Sequence, residues 1–243
     1  MYLVQRSSQS PLLAGFWVFP GGTLRPSDYD VEARYHSAEF GPAAAHAALT
    51  RGSGYPASNP EESLAFFVAA ARELFEETGI LLGSTASQAS PSDSSSEARV
   101  RQRLGLEHGG TLVALAIEIG LDLTLGDLIY YGHWITPEAI AQRFDTRFFV
   151  AVLPDGQTPR PSPYEVAEGI WIDPVTALER HRAGDLQLHF ATLKHIQRLA
   201  PHAPLDDLLT FVRTKAVPPV MPLTRDRNGN VVPYLEPEVD GAW

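Results

Sequence analysis

From Pro60 to Thr78 the apolar residues return at the period of an α-helix. Wound at about 100° per residue, Phe67, Ala71, Leu74 and Thr78 form one stripe. Asn59-Pro60-Glu61-Glu62 supplies a start signal, with Asn as N-cap, Pro at the first helical position and acids in the first turn; Gly79 supplies the stop. Runs rich in aromatic and β-branched residues predict strands over Tyr2 to Arg6, Phe16 to Phe19, Tyr130 to Thr136, Arg147 to Leu153 and Gly169 to Asp173. Helical periodicity predicts helices over Ala43 to Leu49, Pro174 to Arg182 and Phe190 to Leu199, while Thr111 to Glu118 fits helix and strand equally. Residues 84–97, rich in Ser, Ala and Gln, read as a mobile surface segment. From Pro218 onward the proline-rich tail is expected to lie over the surface without a second core. Alternating strands and helices without internal repeats point to a single α/β or α+β sandwich spanning 1–243.

Composition narrows the class. The chain has 243 residues, 44% of them hydrophobic, as expected of a globular protein with a sizeable core. No apolar run reaches membrane-spanning length, and no membrane partner is expected. Without cysteine there are neither disulfides nor thiolate metal ligands, so any metal must sit on oxygen or imidazole. A net charge of −10 argues against nucleic acid as partner but leaves room for a small phosphorylated substrate. A cytoplasmic protein, with a homodimer as one possible assembly, is the simplest expectation.

The chemistry concentrates at the end of the long helix, in Arg72-Glu73-Leu74-Phe75-Glu76-Glu77-Thr78-Gly79-Ile80. Glu73, Glu76 and Glu77 stand at i,i+3 and i,i+4 and point away from the apolar stripe, so their charges converge and repel. A divalent cation on hard oxygen ligands offsets such repulsion, and Arg72 can orient Glu76 from one turn earlier. A bare Glu-x-x-Glu-Glu also fits a solvated helix face. The full pattern, with its arginine, helix-ending glycine and following apolar residue, is far more demanding.

Together with Gly22, this segment resembles the Nudix box, Gly-x5-Glu-x7-Arg-Glu-apolar-x-Glu-Glu-x-Gly-apolar. The resemblance implies a mixed sheet between helices in an α/β/α sandwich, and magnesium or manganese on the box helix. It also implies hydrolysis of a nucleoside diphosphate linked to another group. Position by position, Glu76 and Glu77 match the metal-binding pair, Glu73 a further ligand or water-activating group, Arg72 the orienting arginine, and Gly22 the opening glycine. The spacing differs: 49 residues lie between Gly22 and Arg72, with an insert at about 25–59, and Leu64 stands where the first box glutamate belongs, with Glu61 and Glu62 nearby. An interrupted box is similar to the branch that includes peroxisomal coenzyme A diphosphatases. Gln5-Arg6-Ser7 leading to Gly15-Phe16-Trp17-Val18-Phe19-Pro20-Gly21-Gly22, Trp134 to Phe149, and Glu165-Val166-Ala167-Glu168-Gly169-Ile170-Trp171 resemble that branch as well. The branch normally carries one more strand ahead of Leu3, so either the start is called late or one sheet strand is missing, which would leave an unpaired edge. Gly241-Ala242-Trp243 does not match the peroxisomal signal Ser-Lys-Leu, so a cytoplasmic protein is the simpler expectation.

The resemblance implies coenzyme A or an acyl-CoA as substrate, giving 3′,5′-ADP and a 4′-phosphopantetheine. ADP-ribose or another dinucleotide, and a nucleotide-sensing protein without turnover, stand as alternatives. Glu73, Glu165 and Glu168 are the candidate general bases. Gly21 and Gly22 with Arg6 and Arg147 are the candidate substrate contacts, the arginines through their fork geometry. Trp17, Phe19, His189 and His195 read as packing residues.

Overall fold

The computed structural model describes residues 1–10, 12–29, 40–51, 59–85, 112, 116, 121–162, 166–202, 204–241 and 243. Strands and helices are numbered below in chain order. β1 (Tyr2–Arg6) and β2 (Trp17–Val18) precede a 3-10 turn at Pro26–Tyr29, which leads to α1 (Pro42–Thr50) and α2 (Pro60–Thr78). β3 (Gly83–Thr85) and β4 (Leu121–Leu123) pair, and β5 (Ile129–Ile135), β6 (Asp145–Val150) and β7 (Val166–Trp171) follow. The chain continues through α3 (Pro174–Ala183), α4 (Phe190–Leu199), α5 (Leu205–Thr214), β8 (Pro219–Val220), β9 (Leu223–Arg227) and β10 (Asn230–Tyr234).

The capping signals of α2 act as expected. The Asn59 side chain accepts the Glu62 N–H, Pro60 opens the helix, and Gly79 closes it at φ 73°, donating its N–H to Phe75. An L-residue would be strained in that left-handed conformation. The stripe is buried at Phe67, Ala71 and Thr78 and partly buried at Leu74. Burial does not stop there: Arg72, Glu73 and Glu77 also lie inside the protein, so the face expected to look outward is covered.

Two three-stranded sheets, ordered β2-β1-β7 and β6-β5-β8, organise the layers. Strand alternation decides what each face meets. On β5, Tyr130 joins the core with α1 and α2 (Ala45, Leu49, Leu64, Phe67, Val68, Phe75), whereas Tyr131 joins Leu199 and Val212 of α4 and α5. In the other sheet, Leu3 and Trp17 pack on Ala177, Leu178 and Ile196 of α3 and α4. Helices thus cover both faces of the β5 sheet, and α4 bridges the two sheets: the α/β/α arrangement read from the sequence. β1 is paired on both sides, by β2 and β7.

The tail is more ordered than a surface wrap. β8 pairs in parallel with β5, β9 and β10 form a hairpin, and Trp243 is buried against Trp134. Beyond Thr85 the expected mobile segment lies outside the described residues, as do residues 30–39 and 52–58 of the insert between Arg25 and Asn59.

His195 packs where the sequence placed it, as a core residue. Its ring lies 4.0 Å from that of Phe148 and against Gly132, where a Cβ would stand 2.4 Å from His195 Cε1. Neither ring nitrogen has a hydrogen-bond partner among the described residues. Burial, aided by the Lys215 charge, holds its pKa well below the usual histidine range. The unfolded chain therefore binds this proton below about pH 6.5 while the folded one does not, so stability falls as pH drops through that value. From pH 7 to pH 5 stability should therefore fall through this group. Urea unfolding at the two pH values checks it: His195→Phe should remove that part of the pH dependence.

Candidate active site

Arg72 is the hub around which the acidic residues of α2 are set. It is 2% exposed and has spent its donors within the protein. Nε and Nη2 grip the two oxygens of Asp28 at 2.7 and 2.9 Å, a bidentate pair of the strong kind. Nη2 also donates to the Thr23 carbonyl at 2.9 Å, and Nη1 donates to Glu73 at 2.6 Å and Glu76 at 3.1 Å. Burial alone would loosen the proton of Arg72; the bonds and charges of Asp28 and Glu73 outweigh it and hold the guanidinium more tightly than usual.

The segment after β2 closes over the same helix face. The Gly21 N–H donates to Glu77 Oε2 at 3.0 Å. Gly22 leaves room for Glu73: a Cβ there would stand 2.4 Å from the carboxylate carbon. Gly22 is not in the left-handed region, so the demand is for space alone. Asp28, in the 3-10 turn, accepts the Arg25 N–H at 2.7 Å while holding Arg72. Arg25 in turn donates to Glu76 at 2.9 Å and lies 3.7 Å from Glu73. The 49 residues between Gly22 and Arg72 are thus bridged by contacts that bring Gly21, Gly22, Arg25 and Asp28 onto the helix.

Glu76 has its pKa raised, first by burial, with Glu73 adding repulsion and Arg72 and Arg25 opposing it. Glu73, Glu76, Glu77 and Asp28 together outnumber Arg72 and Arg25 by two charges. This all-oxygen, net-negative set fits a hard divalent cation. Among the described residues no three acidic or imidazole side chains close on one point, because the carboxylates are turned to Arg72, Arg25 and Gly21. Arg25 is the movable member, 44% exposed against 2% for Arg72.

The other sequence candidates fall at different places. Glu168 is exposed on β7, opposite Gln5. Glu165 lies outside the described residues. Arg6 donates through Nε and Nη2 to Ser10 and through Nε to the Leu12 carbonyl, bracing the loop between β1 and β2. Arg147, on β6, stacks on Phe66 of α2. Leu64, at the first-glutamate position, is core; Glu61 is exposed and Glu62 half-buried. Sequence reasoning missed Asp28 and Arg25. Pro26 marks a turn there, and a buried arginine needs a counter-charge, but nothing local singles Asp28 out from the other acids.

The Gly22 cradle carries a direct prediction. Gly22→Ala should push the Glu73 carboxylate off its position and lower kcat/KM by about a hundredfold, as an ångström-scale displacement does. The melting temperature should move little; equal losses of stability and activity would contradict the cradle.

Comparison with known proteins places these residues in a family context. The family model described as the NUDT19 Nudix domain matches residues 1–199. The protein named acyl-coenzyme A diphosphatase NUDT19 in Gallus gallus is 27% identical over 89% of this chain and 65% of its own length. Its Homo sapiens counterpart is 27% identical over 97% of this chain and 72% of its own. The chain thus spans about two thirds of the length of these curated relatives. Among solved structures, a NUDIX hydrolase from Alicyclobacillus acidocaldarius superposes with a TM-score of 0.64 at 25% identity, covering 86% of each chain.

Proposed function

Because this chain belongs to the NUDT19 Nudix domain family, we propose that it hydrolyses the pyrophosphate bond of coenzyme A or an acyl-CoA, releasing 3′,5′-ADP and an (acyl-)4′-phosphopantetheine. The observation that carries the reading is the Arg72 hub, which presents Glu73, Glu76 and Glu77 from one helix end beneath the Gly21–Gly22 segment. The substrate follows the relatives named acyl-coenzyme A diphosphatase.

In this reading Glu73, Glu76 and Glu77 would hold magnesium or manganese, which when bound screens the pyrophosphate oxygens and acidifies a water. The remaining work falls to the chain itself. Arg72 fixes the rotamers of Glu73 and Glu76, so the carboxylates meet the substrate already oriented. Arg25 is placed to exchange Glu76 for a substrate phosphate, being exposed and bound to the cluster through one edge. Gly21 and Gly22 let the backbone approach the helix closely, with no side chain of their own beside the carboxylates. Glu73, within the cluster, is the base in this reading, with Glu168 on β7 and Glu165 as the alternatives. Water's oxygen bonds to one phosphorus, the bridging P–O bond breaks, and the water's proton passes to the base.

A panel of pyrophosphate compounds, with products identified by mass spectrometry, tests the proposal. Coenzyme A or an acyl-CoA should be cut at the pyrophosphate. Faster cutting of ADP-ribose or a dinucleotide would reassign the substrate, and binding without cutting would overturn the hydrolase reading. No described helix is long and apolar enough to cross a membrane.

A further inference from the structure

We propose that Arg147 is the receptor for a second phosphate of the substrate, a phosphomonoester held about 10 Å along α2 from Glu73. The inference rests on the pyrophosphatase reading and defines the far end of the same site.

Strand alternation aims Arg147 at α2. On β6, Phe149 packs against Phe67 of α2, whereas Phe148 turns the other way, to His195 of α4. Arg147 shares the Phe149 side, and its guanidinium carbon lies 4.3 Å from the centre of the Phe66 ring. Phe66 precedes Glu73 by seven residues. Two helical turns return to the same face within about 20° and advance about 10 Å along the axis. The Arg147 side chain therefore stands over the face of α2 that carries Glu73 and Glu77, two turns from the first and three from the second.

The way Arg147 is held leaves its recognition edge open. Nη1 is committed to Asp145, at 2.6 Å from the carboxylate and 3.2 Å from the carbonyl. His133 Nε2 bonds the same carboxylate oxygen at 2.5 Å, which fixes Asp145 in turn. Only 9% of the Arg147 side chain is exposed, and the Phe66 ring sets the plane of the fork. Nε and Nη2, the edge that grips an oxyanion by two parallel bonds, have no partner among the described residues. Nor are these atoms among the sealed, unpartnered ones. Arg72, by contrast, has spent the same edge on Asp28 and the Thr23 carbonyl. Here one nitrogen, the stacked ring and the Asp145–His133 pair immobilise the side chain while its bidentate edge stays free, so little side-chain freedom remains to be lost on binding.

A phosphate at this distance from the carboxylates belongs to the nucleotide half of the substrate, as does the 3′-phosphate of coenzyme A. The test compares coenzyme A with 3′-dephospho-coenzyme A in wild type, Arg147→Met and Arg147→Lys, together with calorimetric binding of 3′,5′-ADP, 5′-AMP and inorganic phosphate. Wild type should favour the 3′-phosphorylated substrate in kcat/KM by about tenfold or more, the scale of a charged bidentate contact. Arg147→Met should bring the ratio near one, through KM rather than kcat, and Arg147→Lys should fall between. Wild type should likewise bind 3′,5′-ADP more tightly than 5′-AMP, and Arg147→Met should bind the two alike. An unchanged ratio in Arg147→Met, or no preference in wild type, would overturn the proposal, as would inorganic phosphate binding as tightly as 3′,5′-ADP. Failure of wild type to cut either substrate would strike the pyrophosphatase reading instead, and the calorimetry would still decide the role of Arg147.

Discussion

Arg72→Met should destabilise the protein by about 3–5 kcal/mol and cost activity beyond that loss of fold. The reason is the company Arg72 keeps. Asp28 is 2% exposed and Glu73 5%, and both direct carboxylate oxygens at the guanidinium. Removing the cation leaves two buried carboxylates without their partner, which costs far more than a surface ion pair is worth. The loss extends to geometry, since the same side chain holds the Thr23 carbonyl, and with it the segment carrying Gly21 and Gly22. Adding Asp28→Asn to Arg72→Met should recover part of the stability by removing one orphaned charge, but none of the activity, because Glu73 and Glu76 stay unoriented. Urea unfolding with kcat/KM per folded molecule separates the two effects. A single variant within about 1 kcal/mol of wild type would contradict the hub.

Glu77→Gln should act the opposite way, sparing the fold and abolishing turnover. Glu77 is 4% exposed, and one oxygen accepts the Gly21 N–H at 3.0 Å. Glutamine keeps an acceptor of the same reach, so the loop remains in place and the melting temperature should stay near wild type. What disappears is one negative charge from a set that exceeds its arginines by two. A hard cation should then bind far more weakly, and activity at fixed magnesium should fall by more than the tenfold to hundredfold seen when only supporting groups are changed. Raising magnesium or manganese should recover part of the loss, which distinguishes weakened cation binding from a displaced loop.

The contrast between these residues explains what could be read from the chain alone. The limits of α2 were legible because each is written locally: Asn59-Pro60 at one end and Gly79 at the other, with the apolar stripe between them. Glu73, Glu76 and Glu77 were legible for the same reason, as neighbours on one helix. Asp28 was not, since its value to Arg72 depends on a contact across 44 residues of sequence. α5 was missed although Leu208 and Val212 recur at helical spacing, because Pro204 at its N-cap provides no side-chain acceptor to mark a start. The β9–β10 hairpin had a signal in Asn228-Gly229, which supplies the two positive φ angles the turn needs; the prolines around it obscured the strands. Burial of the acidic face was also invisible locally, since the covering loop arrives from the far side of the insert.

The central claim, pyrophosphate hydrolysis at a cation held by Glu73, Glu76 and Glu77, meets its most direct test in one assay. Wild type and Glu77→Gln are incubated with coenzyme A across a magnesium titration, and the products are weighed by mass spectrometry. The account predicts 3′,5′-ADP and 4′-phosphopantetheine from wild type, a rate that climbs from zero with added magnesium, and almost none from Glu77→Gln at the concentration that saturates wild type. Equal cleavage by both proteins, or wild-type cleavage undiminished by chelator, would contradict it.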